Sequence, residues 1–179
     1  MNSSELQACP GCGALLPASP APSHPYIGVS GACWDIYNQL HQAGEPPLAP
    51  SPLLPLMVDA YASQHPGVPS AQAIQSVAVH LLTLQGVLER GVSPEQAMWV
   101  RLRALRGTTE ARHKRFVWLE PPSFADGPNV AGIAQGPDPA ARTALAEQWI
   151  RSVWSTWAAR HGAMLKKWYE ACVLAERLE

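Results

Sequence analysis

The chain has 179 residues and a mass of 19.3 kDa, a single-domain length that can bury a core without disulfides. Charged residues make up 15% of it and the net charge is −1, against roughly 25% charged in an average domain, which argues against a chain built to coat nucleic acid or an anionic membrane. The apolar runs fall short of the ~20 residues that cross a bilayer, and Met1-Asn2-Ser3-Ser4-Glu5 offers neither the basic nor the apolar region of a secretory signal.

Residues 1–32 are rich in Pro, Gly, Ser and Ala and read as an irregular arm, with 33–179 as a helical core in one compact domain. Residues 33–43 form a short helix that stops at Gly44, with Ile36 and Leu40 on one face. Five prolines between 45 and 55 make a stiff extended link. A helix starts near Leu56 and ends before Pro66. Ser70 caps the next, in which Ile74, Val77, Leu81, Leu84 and Leu88 keep a spacing of three and four until Gly91. Ser93-Pro94-Glu95-Gln96 is a further helix start, and that helix runs to Gly107. Residues 107–137 read as loop. The last helix opens at Asp138-Pro139, and Gly162 is a point where it can bend. Its stripe of Ile150, Trp154, Trp157, His161, Leu165, Trp168 and Cys172 is chiefly packing. No segment alternates as a strand. The fold class is all-α, a helical bundle with an irregular arm clamped by zinc.

Cys9-Pro10-Gly11-Cys12-Gly13 has the form of a metal knuckle. Two thiolates two residues apart can hold one ion from a single tight turn, with Gly supplying the left-handed backbone angles. A redox Cys pair usually opens a helix after a strand, and neither element is suggested here. A closed Zn²⁺ site takes four ligands, and His24 and Cys33 follow after gaps of eleven and eight residues that prolines keep out of a helix. The expected ligand set is therefore Cys9, Cys12, His24 and Cys33, with His65 and His80 in reserve and Cys172 as a packed thiol. The competing readings are a surface histidine for His24 and a small buried hydrophobe for Cys33.

A second reading is a metal-dependent hydrolase or transferase. Asp59 and His65 lie on one helix and His80 on the next, across a short Pro-Gly turn that favours antiparallel packing. Asp59, His65 and His80 can then surround a pocket, with His161 arriving from the last helix. The competing role for each is a hydrogen-bonded core histidine or a helix cap. A third reading is a regulatory module that takes an acidic partner or nucleic acid through Arg101–Arg115, where six of the thirteen basic residues lie within fifteen positions. The knuckle lacks basic and aromatic neighbours, which disfavours nucleic acid. Otherwise the partner is a small molecule or a protein, and no membrane is involved.

Several strings also point to one family: Cys9-Pro10-Gly11-Cys12-Gly13, His24-Pro25-Tyr26, Cys33-Trp34, Asp59-Ala60-Tyr61 with Gln64-His65-Pro66-Gly67, Gln75-Ser76-Val77 with His80-Leu81, and Trp118-Leu119-Glu120-Pro121-Pro122. Through them the chain resembles an uncharacterised bacterial family of small proteins, known only as a domain of unknown function. The resemblance implies a bacterial, cytoplasmic protein and supplies no activity.

Overall fold

The computed structural model describes residues 5–21, 23–41, 47–109 and 116–174. The architecture is an all-α bundle preceded by an irregular N-terminal region that bears a Cys/His cluster.

That region contains a small hairpin in which β1 (Leu6–Ala8) pairs antiparallel with β2 (Leu15–Pro17), Ala8 opposite Leu15. Hydrophobic alternation does not reveal it, because each strand is three residues long and mostly exposed. The knuckle sets the register instead. The Cys9 amide donates to the Ala14 carbonyl at 2.9 Å, and the Gly13 amide to the Cys9 carbonyl at 2.9 Å.

Among the described residues, six α-helices and a closing π turn carry the core. α1 (Gly31–Gln39) begins two residues before the expected Cys33, because Ser30 accepts from the Cys33 amide at 3.3 Å and caps it. A 3₁₀ turn, Leu54–Leu56, leads into α2 (Met57–Gln64). Ser70 caps α3 (Ala71–Leu88), and Pro94–Gln96 opens α4 (Ala97–Thr109). The stretch expected to be loop holds α5 (Val130–Ala134), capped by Asn129, whose side chain accepts from the amides of Ala131 and Gly132. Five residues are too few for periodicity to show. α6 (Pro139–Tyr169) starts at the Asp138 cap and passes straight through Gly162 for 31 residues before a single π turn, Glu170–Leu174. A glycine costs a helix about 1 kcal/mol, less than the burial of Trp157 and Leu165 on either side returns.

α3 is the central helix and packs against α2, α4 and α6. Among the described residues it alone is long and apolar enough to cross a membrane, and 56% of it is buried inside the bundle. The tryptophan stripe of α6 is core. Trp149 and Trp157 are fully buried, and each indole N–H finds an acceptor at the C-terminal end of α2: Gln64 Oε1 at 2.9 Å and the Ser63 carbonyl at 3.0 Å. These two bonds fix the residue that follows them, His65.

Candidate metal centre

Four ligand atoms converge where the hairpin, α1 and α2 meet. Cys9, Cys12, Cys33 and His65 are all buried, and their sulfurs and ring nitrogen lie within 4.8 Å of one another. The cysteines are free thiols. Cys12 Sγ is 3.8 Å from Cys33 Sγ, and Cys33 Sγ is 3.6 Å from His65 Nε2. A tetrahedral ion with metal–sulfur bonds near 2.3 Å and metal–nitrogen bonds near 2.0–2.1 Å has edges of about 3.8 and 3.6 Å. The donor set and these two spacings therefore fit a four-coordinate metal.

Each ligand has a local reason for its place. Cys9 and Cys12 sit in the hairpin turn, and Cys33 follows the capped start of α1. His65 ends α2, because Pro66 cannot continue the helix. The ring Nδ1 donates to the Tyr61 carbonyl at 2.8 Å, which fixes the tautomer and leaves Nε2 for the cluster. The Tyr61 hydroxyl donates to Cys33 Sγ at 3.6 Å. Tyr61 also stacks on Tyr37, with ring centroids 3.9 Å apart, and lies 4.3 Å from His65, so α1 and α2 are tied by aromatic contacts beside the site.

Gly11 makes the close approach possible. A Cβ there would lie 2.4 Å from His65 Cδ2 and 2.8 Å from the carbonyl oxygens of Gln64 and Gly28. Gly67, at φ +72°, performs the same service on the other side, where a Cβ would meet the Tyr26 carbonyl at 2.5 Å. Between them the Gly28 amide donates to the His65 carbonyl at 3.0 Å. The arm thus crosses the end of α2 with backbone against backbone.

Electrostatics in the cluster are those of crowded thiols. Thiol donation from Cys12 and Cys33 holds Cys9 far below the usual thiol range, and the neighbouring sulfurs Cys12 and Cys9, with burial, push Cys33 up. Burial opposes charge on His65, but bonding to Cys12 and Cys9 outweighs it and lifts the imidazole to about 9. Such a cluster keeps protons that a cation would displace.

The fourth member differs from the expected one. His24 stands outside the cluster, with its ring edge-on to Tyr26 at 4.5 Å and to Trp34 at 5.1 Å. Its Nδ1 is buried without a partner among the described residues, and burial lowers its pKa. His65, one of the two reserve ligands, fills the place. The signal for it was available in His65-Pro66-Gly67, a helix end followed by a sharp turn. The distance of 32 residues from Cys33 concealed it, since only packing closes such a gap.

The same geometry separates the expected trio of Asp59, His65 and His80. His65 belongs to the thiol cluster, while Asp59 and His80 meet elsewhere. His80 Nδ1 lies 2.8 Å from Asp59 Oδ1. Arg101 completes this second cluster: Nε donates to Asp59 Oδ1 at 2.9 Å, one terminal nitrogen reaches Asp59 Oδ2, and the same nitrogen donates to the Pro55 carbonyl at 3.0 Å. Asp59 is wholly buried. His161 is remote from both, with Nε2 2.8 Å from the Glu120 carbonyl.

Of the basic run, Arg101, Arg103 and Arg106 lie among the described residues. Arg101 turns inward to Asp59, and Arg103 lies over the Trp99 ring at 5.3 Å. Arg112, Lys114 and Arg115 lie outside the described residues.

A family model described as a family of unknown function, DUF5946, matches residues 7–158. The match spans the hairpin, all four cluster residues and most of α6, and the chain belongs to that family. No curated protein and no solved structure matches it.

Proposed function

For this DUF5946 member we propose a zinc-binding helical protein in which the metal is structural and the biological role is binding of a small molecule or protein. Zinc, held by Cys9, Cys12, Cys33 and His65, would fasten the arm 1–32 onto the helices. The observation that carries this reading is the burial of four donors that converge within 4.8 Å of one another. Structural zinc sites have four protein ligands, whereas catalytic ones keep a position for water. Three free thiols also need reducing surroundings, in keeping with the cytoplasmic location that the resemblance implies.

The test is elemental analysis of untagged protein kept reduced and free of chelator. Wild type should carry one zinc per chain. His65→Ala and Cys12→Ser should lose it, and His24→Ala should retain it. A metal content that depends on His24 and not on His65, or no metal in wild type, would overturn the assignment.

A further inference from the structure

Asp59, His80 and Arg101 form the floor of a second site that the metal reading leaves unused. A buried carboxylate is stable when a guanidinium pairs with it in bidentate fashion, and Arg101 already does so. His80 is therefore more than charge compensation requires. Its Nδ1 carries a hydrogen donated to Asp59 Oδ1, so in the neutral ring Nε2 is an acceptor. No described residue bonds Nε2, and the side chain is 19% exposed.

The exposed edge of that ring lines a cleft of about 300 Å³ between α3 and α4, at the small end of ligand pockets. The cleft walls are mainly apolar. They include Tyr26, Met98, Leu102 and Leu105, and the latter three are 56%, 48% and 39% exposed. Ser76 stands one helical turn before His80 on the same side. Arg101 also lines the cleft, but its charge is paired with Asp59.

We infer that this cleft binds a small neutral molecule with an apolar body and one O–H or N–H group, which donates to His80 Nε2. Charge balance on the floor selects against ions. The apolar walls take the body of the ligand, and His80 Nε2, an acceptor that no described residue bonds, orients it. Asp59 and Arg101 are positioning residues: they hold the ring and its tautomer without touching the ligand. The site does not depend on the metal assignment.

Phenol and anisole test it, because they share the ring and the oxygen, and the methyl of anisole replaces the hydrogen that phenol can donate. Zinc-loaded full-length protein labelled with ¹⁵N on histidine and ¹³C on the methionine methyls is titrated with each. Phenol should shift the His80 ring nitrogens and the Met98 methyl saturably, and anisole should bind about tenfold more weakly, the worth of one good hydrogen bond. His80→Asn keeps a donor near the Nδ1 position for Asp59 and removes Nε2, so phenol and anisole should then bind alike. Met98→Glu, on the exposed wall, should weaken both even if His80→Asn fails to fold. Equal binding of phenol and anisole to wild type, or no shift at either group up to the solubility limit, would overturn the proposal.

Discussion

Two polar clusters are buried in this bundle, and they solve the cost of burial in opposite ways. In the Asp59–His80–Arg101 cluster the protein supplies both signs of charge, and every oxygen of the carboxylate has a donor. In the Cys9–Cys12–Cys33–His65 cluster four donor atoms face one another. The Cys9 thiolate has only thiols and one imidazolium to balance it, and Cys33 and His65 keep their protons as a result. Buried polar groups that are satisfied among themselves need nothing added. Buried donors that converge on one point and hold protons there can exchange those protons for a cation. The contrast separates a candidate metal centre from a pair of helices joined by an ion pair.

The comparison breaks most sharply at Cys12. Cys12→Ser should forfeit zinc and, with it, about 4 kcal/mol of stability, a fall of about 10 °C in the thermal midpoint for a chain of this size. Calorimetry alongside metal analysis reads both, and a stable zinc-free variant would show that the arm does not need the ion. Arg101→Leu should cost about 3–5 kcal/mol in denaturant unfolding, since it strands the Asp59 charge, but it should leave zinc content unchanged. Loss of zinc in that variant would mean that the two clusters are one cooperative unit. Gly11→Ala should cost about 1–3 kcal/mol by overpacking and weaken zinc retention in a chelator competition, because the new Cβ meets His65 and two backbone carbonyls.

Acidity sharpens the contrast without a mutation. In the metal-free cluster His65 is protonated below about 9 and Cys33 is held as a thiol, so binding zinc must release both protons. Acid therefore opposes binding. Between pH 6 and 8 apparent affinity should rise by at least about a hundredfold per pH unit, the slope for these two protons. The linked stability of the metal-free form has two opposing parts. The raised His65 favours folding below 6.5 and loses that effect as pH rises towards about 9. The lowered Cys9 favours folding above 9.0 and loses that effect as pH falls. Between those limits one proton is gained and one lost, so these two groups together leave unfolding of the metal-free form nearly flat in pH. A zinc affinity independent of pH in competition titrations would contradict the proton inventory of the cluster.

Much of the fold was legible because its signals are local. Ser70, Ser93-Pro94 and Asp138-Pro139 announce helix starts through hydrogen bonds and a fixed φ that involve only neighbouring residues. The tryptophan stripe reports one buried face of one helix. The hairpin and α5 were not legible, being too short to express a period, and Gly162 misleads because tertiary burial outweighs its helix cost.

The sequence by itself determined that Cys9 and Cys12 share a turn, because two residues between thiols and the flanking glycines constrain that geometry locally. It also determined the all-α character, which rests on periodicity. Tertiary structure alone decided that His65 rather than His24 faces the thiols, and that Asp59 goes with Arg101 and His80 rather than with His65. The physical reason is distance along the chain. Ligands 32 residues apart, or an ion pair 42 apart, meet only once helices have packed. Which of several histidines arrives is then set by indole bonds to Gln64 and Ser63 and by a glycine with no Cβ to obstruct it.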